Sequence, residues 1–230
     1  MTPRLADGLL LIDKPLGITS FDVIRQLRRQ TGVKKIGHAG TLDPLATGLM
    51  LMLFGTYCKR AMELTKLDKR YDAVITLGET STTGDGEGDK TPGSKRVPSR
   101  TELEAALLPL TGRITQTPSV YSAIKIDGQE AYKHARAGRV VEVPSRQVEV
   151  YGLAITDYDY PKVTLAAHVS SGTYIRSLAQ DLGEQLGSGA YLSGLSRSSV
   201  GPYTLLEAHQ LSDINPATLD NRLELNLKEC

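Results

Sequence analysis

The stretch Gly37-His38-Ala39-Gly40-Thr41-Leu42-Asp43-Pro44-Leu45-Ala46-Thr47-Gly48-Leu49 sets one carboxylate among three glycines, a proline and two threonines. The chain then turns apolar through Met50, Leu51, Met52, Leu53 and Phe54. Glycine supplies unusual backbone angles, and proline holds the residue before it extended. The pattern therefore describes a stiff loop that presents Asp43 beside a buried strand. A carboxylate held in that way can serve as a nucleophile or as an electrostatic stabiliser. The same residues also fit an ordinary Asx-type turn, in which Asp43 accepts backbone N–H bonds. Spacing alone leaves both readings open.

The elements around the loop follow from periodicity. Gly8 to Asp13 reads as a buried strand, with Lys14-Pro15-Leu16-Gly17 as a turn. Thr19 or Ser20 can cap a helix in which Phe21, Ile24 and Leu27 share one face, leaving Arg25, Arg28 and Arg29 largely outside it. From Lys69 to Gly78 the residues alternate, with Tyr71, Ala73, Ile75 and Leu77 on one side of a strand. Residues 78–98, rich in Gly, Ser, Thr, Asp and Pro, read as a mobile surface connection. Ser99-Arg100-Thr101-Glu102 has capping-box spacing and opens a helix to about Leu108. Tyr121 to Ile126 is strand-like, and Gln129 to Ala137 reads as a short helix ending at Gly138. Residues 147–158 and 162–170 form a β pair joined around Tyr160-Pro161, and Tyr174 to Leu186 reads as a helix closing at Gly187. Strand pairs and separate helices without regular βαβ alternation predict an α+β fold with a mixed, mainly antiparallel sheet.

Composition narrows the classes. The 230 residues are 40% hydrophobic and 23% charged, which is globular, and no apolar run approaches the ~18 residues that span a bilayer. The start has no charged-then-apolar leader pattern, so a cytoplasmic protein is expected. Two cysteines make neither a disulfide framework nor a metal cluster, and the four histidines fall into no zinc-ligand spacing. No phosphate-binding glycine loop follows a strand, so chemistry without cofactor or metal is expected. Net charge is only +1 but is segregated: residues 1–70 hold 12 Lys/Arg against 6 Asp/Glu, and residues 151–230 hold 5 against 9. A second basic stretch gathers Lys125, Lys133, Arg136, Arg139 and Arg146. Such distribution bears on a polyanion partner more than the sum does.

The Asp43 segment resembles the signature loop of the TruB family of tRNA pseudouridine synthases. The likeness extends through Gly8-Leu9-Leu10-Leu11-Ile12-Asp13-Lys14-Pro15, Lys69-Arg70-Tyr71, Tyr121 to Gly128 with Ala131-Tyr132, and Gly172-Thr173-Tyr174-Ile175-Arg176-Ser177-Leu178, in the family's order and over roughly residues 8–203. It implies the pseudouridine synthase fold. It also implies isomerisation, without a cofactor, of one flipped-out uridine to pseudouridine in the tRNA T-loop, at tRNA position 55. By resemblance Asp43 is the nucleophile, Arg176 its charge partner, and Tyr71 the active-site tyrosine that stacks on uracil and can shuttle a proton. His38, Tyr174 and Leu195 match residues that meet the flipped nucleotide, while Lys14 either supports the loop or contacts phosphate. The segment 119–146 resembles a thumb-like insertion that clasps the RNA stem-loop, with Lys125, Lys133, Arg136 and Arg139 on the backbone.

Two departures stand out. Residues 204–230 read as a short tail after a 1–203 catalytic domain, where many relatives carry a PUA-type RNA-binding domain. Ser170-Ser171 replace a cysteine and a basic residue that relatives often have before Gly172. The tRNA T-stem-loop is the expected partner; no membrane and no obligate protein partner is evident. The alternative is a non-catalytic RNA-binding or tRNA-folding module on the same fold, against which intact Asp43, Tyr71 and Arg176 argue. A glycoside hydrolase would need a second, paired carboxylate of comparable motif support.

Overall fold

The computed structural model describes residues 6–120, 125–126, 128–131, 134, 139, 141–225 and 227–228. The chain divides into two compact units, Met1–Asp72 with Leu195–Cys230, and Ala73–Gly194. It opens with β1 (Gly8–Lys14), α1 (Ser20–Thr31), β2 (Ile36–Ala39), β3 (Ala46–Phe54), α2 (Ala61–Thr65) and β4 (Lys69–Leu77). Next come β5 (Glu79–Ser81), β6 (Lys90–Pro92), α3 (Arg100–Leu107), β7 (Gly112–Gln116), β8 (Lys125–Ile126) and β9 (Gln129–Glu130). The last elements are β10 (Arg146–Asp159), β11 (Lys162–Val169), α4 (Ile175–Gln185), β12 (Ala190–Val200), β13 (Tyr203–Thr204), β14 (His209–Gln210) and α5 (Pro216–Arg222). Among the described residues no helix is long and apolar enough to cross a membrane.

In the first unit the strands run in the order β14-β1-β3-β12, with β2 also on β3. β1 and β3 are antiparallel from Gly8↔Phe54 to Lys14↔Gly48, whereas β12 lies parallel to β3 from Leu195↔Ala46 to Arg197↔Gly48. All but one residue of β3 is buried, as its continuous apolar run requires of a central strand. Leu9, Leu11, Ala39, Leu49, Leu51, Leu53, Val200 and Tyr203 form one core cluster. In the second unit β10 pairs antiparallel with both β11 and β7, and α3 packs against α4. The sheet is thus mainly antiparallel, as the sequence predicts.

Several local expectations hold and three change. Thr19 caps α1 and Ser99 caps α3, each in a reciprocal capping box, with Asp22 and Glu102 respectively. β4 buries Tyr71, Ala73, Ile75 and Leu77 on one side. On α1, however, Ser20, Val23, Ile24 and Leu27 are buried and Phe21 is 56% exposed, with the Arg25 guanidinium 5.7 Å from its ring. The i, i+3, i+4, i+7 stripe begins at Ser20, so Phe21 falls off it. Residues 129–130 are a strand, not the start of a helix: they pair with 125–126 across Gly128, whose φ is +80°. Asp-Gly between short strands is a hairpin signal. The remainder of the expected 121–126 strand and 129–137 helix lies largely outside the described residues.

Within the segment 78–98, residues 93–98 form a connection without regular structure, exposed up to Val97, and residues 79–92 form a hairpin, β5 against β6. Asp85, 3% exposed, organises it: its carboxylate accepts from Thr83 Oγ1 and Glu87 N, and its carbonyl from Ser81 Oγ and Lys90 Nζ. Polar, glycine-rich composition describes a surface loop only when its polar groups face water; around Asp85 they face one another.

On α4, partial burial and the neighbouring Glu184 raise the Asp181 carboxyl to about 6 from an ordinary 3.8. A carboxyl whose pKa is raised by folding binds more protons folded than unfolded between those values, so stability falls as pH rises from about 4 to about 6. Asp181→Asn removes that penalty. Denaturant unfolding should show the variant up to about 1 kcal/mol more stable at pH 7, after allowance for solvent screening, and no more stable at pH 4. Equal gains at both pH values would contradict this.

Candidate active site

The Asp43 loop connects β2 to β3, and its backbone is tied down residue by residue. Leu42 gives both main-chain groups to one hydroxyl: Ser20 Oγ accepts from Leu42 N (2.8 Å) and donates to Leu42 O (2.9 Å). Asp43 O accepts from Ala46 N at 3.0 Å and Pro44 O from Gly17 N at 2.8 Å. Arg197, 1% exposed, donates from Nη2 to Gly40 O at 3.2 Å, from Nη1 to Thr41 O at 3.5 Å and from Nε to Leu49 O at 2.7 Å. Five successive carbonyls, Gly40 to Pro44, therefore each have a donor. Glycine is required at two points. Gly40 has φ +89°, and Gly48, with φ +98°, lies so close to β12 that a Cβ would meet Arg197 O at 2.5 Å. Asp43 itself is half-buried at the apex.

Of the other first-unit residues, Lys14, His38 and Leu195 lie in register with β3, the strand that follows this loop. Lys14 ends β1, opposite Gly48, and is fully buried. Its Nζ donates to Pro15 O (2.9 Å) and Ile18 O (2.7 Å), stitching the turn that holds Pro44. Burial lowers Lys14 to about 8, and the Asp43 charge opposes that fall. Of the two roles open to Lys14, this geometry favours support of the loop. His38 sits on β2 opposite Met52. Burial and then the Arg197 charge hold its pKa below the usual value, and its buried Nδ1 has no hydrogen-bond partner among the described residues. Leu195, half-buried, is the β12 residue opposite Ala46. Tyr71 is a buried residue near the start of β4.

The second unit carries Tyr174 and Arg176. Arg176, second residue of α4, is 7% exposed, and its Nη1 lies 3.1 Å from Asp85 Oδ2. A cation in a first helical turn meets the wrong end of the helix dipole, so a buried carboxylate partner offsets both that and desolvation. Asp85 is hidden in the sequence because residues 78–98 read as a mobile connection. The legible signal was the Thr83-x-Asp85-x-Glu87 spacing, which suits an Asx turn. Tyr174 caps α4 by position without a side-chain cap bond. Reading also missed Ser20 and Arg197, which hold the loop, and Gln116, which holds Tyr174.

Of the expected RNA-backbone residues, Lys133 and Arg136 lie outside the described residues, and only the strand placement of Lys125 is described. Arg139 is exposed and donates from Nη2 to Gln129 Oε1 at 2.9 Å. Among the described residues no cluster of three or more His, Cys, Asp or Glu side chains is arranged to hold a metal ion.

Among solved structures, a Cbf5-Nop10-Gar1 complex contains a chain that matches with a TM-score of 0.71 and 28% identity, over 90% of this chain and 53% of that one. A second match, from an H/ACA RNP bound to a substrate RNA containing 2′-deoxyuridine, has a TM-score of 0.67 and 26% identity over 90% of this chain and 51% of the other. This chain thus spans about half the length of those structures' chains. The fold is that of the pseudouridine synthases, a class of isomerases. A family model for the TruB family pseudouridylate synthase N-terminal domain matches residues 28–175. A tRNA pseudouridine synthase B from Burkholderia pseudomallei (strain 668) is 45% identical over 222 residues, 96% of this chain and 74% of the relative. One from Cupriavidus metallidurans is 45% identical over 219 residues, 93% of this chain and 70% of the relative. The chain belongs to the TruB family of pseudouridylate synthases.

Proposed function

We propose that this enzyme isomerises a uridine in the T-loop of tRNA, at tRNA position 55, to pseudouridine without a cofactor, with Asp43 as the nucleophile on a flipped-out nucleotide. The observation that carries the reading is the Asp43 loop, whose five tethered carbonyls hold one half-buried carboxylate in a fixed place. Names of relatives support the substrate: both quoted sequence relatives are called tRNA pseudouridine synthase B.

The reaction breaks N1–C1′, turns the base and forms C5–C1′; C5 gives up a proton and N1 takes one up, so nothing is oxidised or reduced. A preset carboxylate serves by adding to C1′, adding to C6 or taking a sugar proton. Tyr71 presents a ring for stacking and a hydroxyl that can carry the C5 proton. Family resemblance gives Arg176, whose Nη1 also serves Asp85, the role of a charge partner that favours the anionic form of Asp43. His38, whose pKa is lowered by burial, offers a flat face to the displaced nucleotide, with Tyr174 and Leu195 as walls. Extruding the uridine costs a few kcal/mol of stacking, which phosphate contacts elsewhere must offset.

The test is conversion itself: the protein is incubated with a T-stem-loop RNA and pseudouridine is mapped chemically, with Asp43→Asn alongside. Wild-type protein that binds the RNA and never converts it would sink the enzyme assignment; release of free uracil would indicate glycosidic hydrolysis instead. For the 119–146 segment, Lys133→Glu with Arg136→Glu should weaken RNA binding by about tenfold or more at moderate salt and lower the slope of log affinity against log salt by about 2. An unchanged slope would put the phosphate contacts on another surface.

A further inference from the structure

The sequence groups Arg146 with the basic stretch suited to phosphate, but its neighbours in the structure are of another kind. β7 and β10 pair with Gln116 directly opposite Arg146. One residue beyond, Thr117 Oγ1 and Ser145 Oγ are 2.7 Å apart, so residues 116–117 and 145–146 form a joined base for the segment between them. Both members of the Gln116–Arg146 pair turn to Tyr174. Gln116, 2% exposed, accepts from Tyr174 N at 3.0 Å and donates to Tyr174 O at 3.2 Å, a two-point amide clamp on the residue that starts α4. The Arg146 guanidinium lies 4.6 Å from the centroid of the Tyr174 ring, and its Nη2 donates to Gly172 O. Its Nε is buried without a hydrogen-bond partner among the described residues. Gly172 has φ +84°, and a Cβ there would stand 3.4 Å from Arg146 Cζ. The 172–174 turn is thus shaped around a flat cation. A guanidinium used in this way acts through its plane and its fork of donors more than through its net charge.

We propose that Gln116 and Arg146 are positioning residues for the isomerisation. They fix the ring and the backbone of Tyr174, and they act on the uridine only through Tyr174. The inference rests on the reading of Tyr174 as a wall of the uridine pocket. It also couples the base of the 118–144 segment to that wall, so the strands that lead into the RNA-clasping part are the strands that set the pocket.

The experiment measures two quantities on the full chain with a T-stem-loop RNA: Kd, and the single-turnover rate at saturating RNA. Arg146→Lys keeps the charge and loses the plane. Its rate should fall by about tenfold or more while Kd stays within about twofold. Gln116→Glu keeps the acceptor for Tyr174 N and loses the donor to Tyr174 O, and its rate should also fall with Kd preserved. The decisive comparison is a double-mutant cycle: Arg146→Lys should cost nothing further in a Tyr174→Leu background. Thermal melts check that each variant is folded at the assay temperature, and Arg146→Lys is the variant least exposed to that objection. A rate for Arg146→Lys equal to wild type overturns the proposal. So does a loss confined to Kd, which would return Arg146 to the phosphate contacts. If Tyr174→Leu is slow and the Arg146→Lys loss adds to it in full, the positioning role fails and the pocket-wall reading survives. If Tyr174→Leu turns over at the wild-type rate, the pocket-wall reading fails and takes the proposal with it.

Discussion

Asp43→Asn is expected to reduce the single-turnover rate of uridine conversion by about 10⁴-fold or more, with RNA affinity changed by no more than a few-fold. The argument for so clean a separation lies in the loop. Its geometry is set by backbone carbonyls that answer to Ser20, Gly17, Ala46 and Arg197, and residue 43 joins this set through its main-chain carbonyl. Asparagine has nearly the shape of aspartate, so the main-chain tethers should survive and folding stability should move by no more than about 1 kcal/mol. What asparagine lacks is the charge and the nucleophilic oxygen. A second consequence follows from the same charge. Asp43 works against the burial that lowers Lys14 to about 8, so its neutralisation should let the Lys14 pKa fall further, a change readable by NMR titration of the Lys14 ammonium. Conversion by Asp43→Asn within tenfold of wild type would remove this residue from the chemistry.

How far such residues are legible beforehand depends on the range of the interactions that place them. Local chemistry is read well: the Thr19 and Ser99 caps, the alternation of β4 and the 146–169 strand pair are each decided by residues a few positions apart. Charged residues that fold into the interior are read poorly. Asp85 and Arg176 lie 91 positions apart, and Arg197 and Leu49 lie 148 apart. A lone arginine in a strand looks the same in sequence whether it meets water or a buried set of carbonyls. The same limit explains why Lys14 and Lys69 are buried against turn carbonyls that composition alone assigns to the surface. Phe21 is the converse case: an aromatic residue is displaced to solvent because Ser20, one position earlier, is needed against the loop. The motif therefore singles out the Asp43 loop, while the residues that immobilise its backbone become visible only with the fold.

Arg197 is the sharpest instance, and it carries the second large effect. Its guanidinium is buried and also repels its surroundings: its charge contributes to lowering the pKa values of Lys14, His38 and Lys69. A cation in that setting is held by what it donates to, namely the carbonyls of Leu49, Gly40 and Thr41. Arg197→Met keeps most of the aliphatic volume and removes the charge, which relieves the repulsion on the two lysines. It also removes the donor from those carbonyls, each costing ~1–3 kcal/mol if left dry. The second effect is the larger, because the repulsion is divided among three groups while the carbonyls that lose a donor all belong to one stretch, residues 40–49. We expect Arg197→Met to be destabilised by about 3 kcal/mol in denaturant unfolding and its single-turnover rate to fall by about a hundredfold, since a displacement of ~1 Å at Asp43 is enough for that. Arg197→Lys, with its charge intact but no fork to span residues 40 and 49, should fall between the two in both measurements. The repulsion has its own signature: in Arg197→Met, Lys14 and Lys69 should titrate above their present value of about 8. An Arg197→Met protein as stable and as fast as wild type would mean that the loop keeps Asp43 in place without the guanidinium, and that Ser20 and the Ala46 and Gly17 amides suffice.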